Sequence, residues 1–265
     1  MGYLKPGVKR RAISKFKTVF RISKEALRIL DEIRLTISFL SRIPIGGNGE
    51  IERIPTHFPI VGYLCAGSYI GIRYLFGLIS PQIAVLSSMA VTFYLFNLFH
   101  FDGLLDTLDG FLNQSGREKR LEIMSRGDVG PFALFFGTLY VLALYSILLD
   151  AEVSQILVAC VISRFSMNLL LGLSRPAKIE GLGAALYPYR WRNALIASAY
   201  LIPLLILYPV FVLTGFILSG LIAMILSRIS RHKIGGITGD VLGAFCLLSE
   251  LGIMISISVF PSALP

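Results

Sequence analysis

The chain has 265 residues, of which 55% are hydrophobic and only 15% charged, and its mean hydropathy is +0.73. Soluble domains carry about 25% charged residues, so the composition excludes an ordinary soluble globular protein and predicts an all-α polytopic membrane protein. A formal net charge of +9 could indicate nucleic acid, but basic residues set the topology of membrane proteins. We therefore expect a lipid bilayer around the chain and no nucleic-acid partner.

The amino-terminal part of the chain is basic. Residues 1–59 hold 12 of the 25 Lys and Arg, and residues 13–40 mix apolar and basic side chains in a pattern that predicts a helix. This helix would either lie on an anionic membrane surface as an amphipathic helix or pack as an ordinary cytoplasmic helix. We treat residues 1–34 as a basic extension and residues 35–265 as one transmembrane domain.

About seven apolar segments follow the basic region, each a candidate transmembrane helix. Residues 194–227 could form one long helix or two short ones that meet near Tyr208 and Pro209. Because the flanking segments 173–193 and 228–240 are both basic, they should lie on the same side of the membrane, which favours two short helices. The predicted spans are residues 60–79, 82–101, 131–149, 154–172, 194–208, 210–227 and 241–260.

The distribution of positive charge predicts the orientation. By this division, 23 of the 25 basic residues lie in segments 1–59, 102–130, 173–193 and 228–240, and the connections on the opposite side contain no Lys or Arg. Positively charged segments stay in the cytoplasm. We therefore expect a cytoplasmic amino terminus in the cytoplasmic (cell) membrane, with segment 102–130 on the same side.

Three aspartates follow the second apolar segment, in the stretch DGLLDTLDG at residues 102–110. Asp102, Asp106 and Asp109 are spaced i, i+4 and i+7, which places them on one face of a helix. Their repulsion is unfavourable unless a cation lies between them, and Mg²⁺ joins hard carboxylate oxygens to substrate phosphates. The pattern therefore indicates a metal site for a diphosphate, although an acidic, solvated helix end with surface ion pairs is the alternative.

Two further classes of membrane protein have acidic residues of this kind. The pattern is similar to the aspartate-rich motif of CDP-alcohol phosphotransferases, but that motif is longer, and here no fourth acid follows Asp109 until Glu118. A cation-coupled transporter would also use carboxylates, although these are expected near the middle of the bilayer rather than at its boundary.

Four stretches carry a resemblance to the cobalamin synthase family, also called adenosylcobinamide-GDP ribazoletransferases. They are LSRIP with HFPIVGYLCAG at 40–67, HFDGLLDTLDGF with REKRLEIM at 100–124, SRPAKIEGLGAAL at 174–186, and GGITGDVLGAFCLLSE at 235–250. The resemblance extends from about residue 35 to the carboxyl terminus. It implies an Mg²⁺-dependent membrane enzyme that transfers the adenosylcobinamide phosphate group from adenosylcobinamide-GDP to α-ribazole or α-ribazole 5′-phosphate and releases GMP.

With this reaction in view, Asp102, Asp106 and Asp109 would hold Mg²⁺, and one of them or Asp240 would act as the catalytic base. Asp240 follows a glycine-rich turn at the start of the last span, so the alternative is that it caps that helix. Gly236 and Gly239 precede a helix amino terminus, a position that favours anions.

Four more residues are candidate substrate or phosphate contacts. Arg126 and Asp128 lie in MSRGDVGPF, where the family pattern reads roughly Asp-Ser-Arg-x-Gly, so their order and offset differ from it. Arg164 lies within the fourth span and would contact phosphate or the aspartates, or form a structural ion pair. Arg175 lies in a loop that would either close over substrate or only set the topology.

Overall fold

The computed structural model describes residues 24–259, which form an α-helical bundle without a β-strand between those limits. A 3₁₀ turn at Ile51–His57 separates the first two helices. We number the helices α1 (24–40), α2 (Phe58–Phe76), α3 (Pro81–Leu112), α4 (Arg117–Met124), α5 (Pro131–Asp150), α6 (Val153–Leu173), α7 (Trp191–Leu207), α8 (Pro209–Ile234) and α9 (Gly239–Ser258).

The all-α membrane architecture predicted from composition is confirmed. Seven of the helices coincide with the seven predicted apolar segments, and five of them, α3, α5, α6, α8 and α9, are long and apolar enough to cross a membrane. Helix α7 is a shorter apolar helix, and α2 is not among the five. The number of crossings and the orientation of the amino terminus stay predictions.

Two helices extend beyond the predicted spans. Helix α3 continues to Leu112, eleven residues beyond the predicted end at residue 101, so the aspartates lie on a helical extension of the span. Helix α8 continues to Ile234 and ends at Gly235, whose φ of +84° suits glycine. The predicted loop at 228–240 is therefore helical except at residues 235–238. The predicted break at Tyr208 and Pro209 is confirmed, because α8 begins at Pro209.

Helix α1 packs against the bundle through its second half. Ile37 and Leu40 are buried, whereas Leu27 and Leu30 are exposed. The buried Glu32 carboxylate lies 3.3 Å from His57 Nε2, which ties α1 to the 3₁₀ turn. These contacts favour a packed helix over one that lies only on a membrane surface, while residues 13–23 of the predicted helix lie outside the described residues.

Glycines allow two helix pairs in the bundle to approach closely, as is common in membrane proteins. A Cβ atom on Gly62 of α2 would lie 2.6 Å from the Cys160 carbonyl oxygen of α6, and one on Gly243 of α9 would lie 3.0 Å from His100 Cα of α3. Helices α6 and α9 are buried along most of their length. They form the centre of the bundle, and α3 lies directly against α9.

The helix ends near the aspartates also collect basic side chains. Lys233 donates a hydrogen bond to the Phe111 carbonyl (2.7 Å), and Arg117 donates to the Ile234 carbonyl (2.9 Å). The carboxyl ends of α3 and α8 therefore meet, and cations neutralise the carbonyl groups that helices leave free at this end. At the opposite end Arg73 donates to Ala151.

Candidate functional site

Helices α3 and α9 bring four carboxylates to one end of the bundle. Asp102, Asp106 and Asp109 lie along the last turns of α3, and Asp240 lies in the first turn of α9. Gly103 makes this meeting possible, because a Cβ atom there would lie 2.7 Å from both the Cα and the carbonyl oxygen of Asp240. The absence of a side chain at position 103 thus places Asp102 beside Asp240.

Negative charge is concentrated around Asp106. This half-buried carboxylate lies within electrostatic range of Asp102, Asp240 and Asp109, and of one cation, the Lys178 ammonium. Three neighbouring carboxylates against one exposed lysine leave an excess of negative charge, which is unfavourable unless a further cation binds or protons are taken up. The site is therefore suited to a divalent cation.

Asp109 has a structural role that the sequence prediction did not include. Its carboxylate is 7% exposed and accepts hydrogen bonds from the backbone N–H groups of Gly130 (2.6 Å) and Ala133 (3.0 Å). These groups belong to the amino terminus of α5, where a carboxylate satisfies free donors and interacts well with the helix dipole. A Cβ atom on Gly130 would lie 2.7 Å from Asp109 Oδ1, so this contact needs glycine.

A cavity of about 590 Å³ adjoins the carboxylates. Asp102 and Asp240 contribute to its wall, together with Lys178, Glu180 and several apolar residues of α1, α3 and α9. His100 also lines it; this side chain is 6% exposed, and its Nε2 has no hydrogen-bond partner among residues 24–259. The cavity is large enough for a small ligand, for which pockets of roughly 300–1,000 Å³ are usual.

The donor set fits Mg²⁺. Among the described residues no three carboxylates of this cluster approach within 4.8 Å of one another, but Mg²⁺ commonly uses one or two carboxylates and completes its shell with water and substrate phosphate. Asp102 is exposed and Asp106 half-buried, and neither makes a side-chain hydrogen bond within the described part of the chain. Their hard oxygen atoms are therefore available to an ion.

Arg164 is placed in the core of the bundle, not at the aspartates. Its side chain is 1% exposed and pairs with the buried Glu250 carboxylate of α9. The guanidinium also donates to Asn97 of α3 and to Ser163 Oγ (3.0 Å). These contacts correspond to the structural ion pair, so the predicted contact of Arg164 with phosphate or the aspartates was wrong. A buried charge in a membrane bundle needs such partners.

The same guanidinium explains a second group of ligand-type atoms. Cys65, Cys160 and Glu250 offer atoms within 4.8 Å of one another. Arg164 lies among them, with Nη2 3.4 Å from Cys65 Sγ, so a cation is already present. The cysteines are free and buried, which is usual for small core residues.

The segment after α4 contacts the site through the Gly130 N–H, whereas Arg126 and Asp128 lie on the exposed surface. Arg126 pairs with Glu122 on the exposed surface, and the hydrogen bonds from Arg126 and Lys119 lower the pKa of Glu122. Asp128 is exposed and has no side-chain partner within residues 24–259. The structure therefore gives Arg126 a surface contact and leaves the predicted substrate contacts of both residues as hypotheses.

The glycine-rich turn before α9 packs against the segment that contains Arg175. Backbone hydrogen bonds join Ala177 to Ile237 (2.8 Å) and Ile237 to Arg175 (2.9 Å). A Cβ atom on Gly236 would lie 2.3 Å from the Arg175 carbonyl oxygen, so glycine is needed here for backbone packing. Arg175 Nε itself donates to the Gly235 carbonyl.

Gly239 differs from Gly236 because it is exposed and lines the cavity. Thr238 caps α9, since its hydroxyl accepts from the Val241 N–H. The alternative in which Asp240 is the cap was therefore wrong; Asp240 Oδ2 instead accepts from the Thr238 hydroxyl (3.0 Å). Its other carboxylate oxygen remains available.

Sequence reasoning left one part of the site open and missed another. Lys178 and Glu180 lie on the cavity wall, in the loop that was predicted either to close over substrate or only to set the topology, because no periodic signal separates these two roles. Leu35 and Phe39 of α1 also line it. Nothing in their local pattern indicated that a helix before the first span packs beside the aspartates.

Comparison with known proteins gives a consistent result. The profile of the family described as cobalamin-5-phosphate synthase matches residues 32–258. A protein of Fervidobacterium nodosum named adenosylcobinamide-GDP ribazoletransferase is 43% identical over 238 residues, which cover 85% of this chain and 96% of that protein. Proteins of the same name from Thermosipho melanesiensis (44% over 222 residues, 82% and 93% covered) and Kosmotoga olearia (43% over 237 residues, 86% and 99% covered) are similarly related.

No solved structure matches the chain. The family match extends through α2 to α9 and includes all four site aspartates. The chain therefore belongs to the cobalamin-5-phosphate synthase family and is a membrane-embedded transferase of cobalamin synthesis.

Proposed function

We propose that the protein transfers the adenosylcobinamide phosphate group from adenosylcobinamide-GDP to α-ribazole or α-ribazole 5′-phosphate, with release of GMP. The observation that carries this proposal is the meeting of Asp102 and Asp240 on the wall of one cavity, with Asp106 beside them. Carboxylates of this kind suit a metal-held diphosphate. The identity of the donor is taken from the names of the relatives. The identity of the acceptor is taken from the resemblance to the cobalamin synthase family.

Asp102 and Asp106 are the residues that would hold Mg²⁺, because their oxygen atoms are free of other side-chain partners in the described chain. When bound, Mg²⁺ supplies charge neutralisation for the diphosphate. Lys178 lies near Asp106 and Asp240 and is placed to contact phosphate oxygens. Asp109 fixes the end of α3 to α5, which keeps the other two aspartates in position.

Asp240 is suited to the role of general base. One of its carboxylate oxygens accepts from Thr238, which orients the group, and the other is left to accept the proton of the ribose 3′-hydroxyl. The ribose 3′-oxygen forms a bond to the phosphorus of the adenosylcobinamide phosphate group. The bond from this phosphorus to the GMP oxygen breaks at the same time. GMP leaves with the electron pair of that bond.

The site would face the cytoplasm, with the amino terminus on the same side of the cell membrane. The supporting observation is that the helix ends around the aspartates carry Arg117, Arg175, Lys178 and Lys233, as the positive-inside rule expects. A water-soluble nucleotide donor can reach this side directly from the cytosol.

The test is release of GMP by the purified protein in lipid with adenosylcobinamide-GDP, α-ribazole and Mg²⁺. We expect GMP and cobalamin in equal amounts, dependence on both substrates, and no turnover with EDTA. A parallel reaction with a CDP-alcohol should release no CMP. Release of CMP, or lack of GMP release by correctly folded protein, would contradict the proposal.

A further inference from the structure

The cavity beside the carboxylates is mostly apolar. Its wall is formed on one side by α1 and on the others by α3, α6, α9 and the segment at 178–186. The apolar side chains include Leu35, Phe39, Phe99, Met167, Leu186 and Leu242. The charged or titratable lining residues of the cavity are His100, Asp102, Lys178, Glu180 and Asp240. A mostly apolar cavity with a small number of polar groups is the usual form of a small-molecule site.

The volume of the cavity indicates which of the two substrates fits inside it. A nucleoside of about twenty non-hydrogen atoms is a suitable guest for a pocket in the usual range of roughly 300–1,000 Å³, and this cavity measures about 590 Å³. A corrinoid that carries an adenosyl group and GDP is several times larger. The donor must therefore lie mainly outside, with only its diphosphate at the carboxylates.

The polarity of the wall selects between the two bases that the reaction brings to the site. Guanine has hydrogen-bonding groups around most of its edge, and burying them without partners is unfavourable. The benzimidazole ring of ribazole has an apolar carbocycle that carries methyl groups. Such a ring gains from contact with aromatic and aliphatic side chains, which Phe39, Phe99 and Leu242 provide.

The position of the carboxylates gives the direction of binding. The attacking hydroxyl of the acceptor must lie next to the phosphorus atom held at Asp102 and Asp106, and Asp240 must reach its proton. Asp102 and Asp240 are themselves part of the cavity wall. A nucleoside with its ribose at this margin places its base among the apolar side chains.

We infer that this cavity is the binding site for the aromatic base of the acceptor nucleoside, with α1 as one of its walls. The inference rests on the proposed function. It gives helix α1 and the segment at 178–186 a role in acceptor specificity.

Ala184 and Ala185 offer a matched pair of variants to test this. Ala184 lines the cavity, whereas its neighbour Ala185 is exposed and does not. Ala184→Phe should fill part of the cavity and raise the KM for α-ribazole by about tenfold, the effect of losing part of the burial of one ring. The KM for adenosylcobinamide-GDP should change less than about twofold, and Ala185→Phe should behave as wild type in both.

Phe39→Ala provides a second, independent variant that enlarges the cavity from the side of α1. It should weaken binding of α-ribazole and improve the relative use of ribosides with a bulkier aromatic base. Equilibrium binding of radiolabelled α-ribazole to the protein without donor should follow the same order. This readout does not depend on turnover.

Each outcome separates the inference from the proposed function. A raised KM for adenosylcobinamide-GDP in Ala184→Phe, with that for α-ribazole unchanged, would assign the cavity to the guanine nucleotide and overturn the inference. Unchanged KM values for both substrates would also overturn the inference. The cavity would then be assigned to a lipid chain. Failure of the wild-type protein to release GMP would instead contradict the proposed function.

Discussion

Helix α3 passes through two charged regions of opposite character. Near its middle, Asn97 contacts the pair of Arg164 and Glu250, in which opposite charges meet and neither side chain is more than 1% exposed. Near its end, Asp102 and Asp106 lie beside Asp240 with like charges and an open cavity. In the first region the opposite charges compensate each other. The second region has an excess of negative charge, which a bound cation would compensate.

The comparison indicates which charges hold the fold and which bind ligands. Buried charges that satisfy one another can maintain the arrangement of helices, whereas uncompensated charges at a cavity mark a functional site. Variants in the first region should therefore change stability, and variants in the second should change turnover.

The largest effect on stability is expected from Arg164→Met. It leaves the Glu250 carboxylate buried without its partner, which costs about 3–5 kcal/mol when one member of a buried pair is removed. Chemical unfolding in detergent measures this loss. The double variant Arg164→Met/Glu250→Leu should recover much of it, because no unpaired charge remains. A stable but inactive Arg164→Met protein would instead place Arg164 in the active site.

The largest effect on turnover is expected from Asp106→Asn. Loss of one negatively charged ligand should reduce Mg²⁺-dependent GMP release by about 10²- to 10³-fold, the range for removal of one electrostatic contact to a reacting group. Stability should not fall, since repulsion between carboxylates is relieved. Asp150→Asn, at the opposite end of the bundle, is the matched control. Near-normal turnover of correctly inserted Asp106→Asn protein would contradict the assignment of Asp106 as a ligand of Mg²⁺.

A smaller effect on turnover is expected from Gly103→Ala. The added methyl group would meet the Asp240 backbone at 2.7 Å and move α9 away from α3, which should lower turnover by roughly ten- to 100-fold. Gly110→Ala is the control, because its methyl group would meet the Met124 side chain at 2.5 Å and the nearest backbone atom, the Arg120 carbonyl oxygen, at an ordinary 3.4 Å. Equal effects of the two substitutions would show that helix propensity matters more than the approach of α3 to α9.

The smallest effect concerns the wall that α1 contributes to the cavity. Burial lowers the pKa of His57 below its ordinary value of 6.5, although the neighbouring Glu32 carboxylate opposes this. The unfolded chain therefore binds a proton that the folded chain excludes, and stability should fall as the pH decreases below about 6.5.

The measurement for this effect is the midpoint of thermal unfolding at about pH 7.5 and 5.5, where we expect a decrease of a few degrees. The decrease should be smaller in His57→Gln, which keeps a polar side chain but does not titrate. An equal decrease in both proteins would assign the pH dependence to groups other than His57.

The sequence was sufficient for the features that depend on local pattern. Apolar segment length predicted the helices, and the i, i+4, i+7 spacing predicted the shared face of Asp102, Asp106 and Asp109. The sequence did not predict which residues become partners through tertiary packing. The hydrogen bonds from Gly130 and Ala133 to Asp109, and the pairing of Arg164 with Glu250 86 positions later, join segments that no periodicity relates.

A short π-helical stretch at Phe93–Asn97 interrupts α3 and ends at the residue that contacts Arg164. Such a stretch adds a residue to a turn without ending the helix, and one residue corresponds to a rotation of about 100° around the helix axis. It therefore sets the angular position of Asn97, which faces Arg164, and of the aspartates beyond it relative to residues 81–92 at the start of the helix. Removing one residue from this stretch would turn the carboxylates away from α9 while every side chain of the cluster was still present.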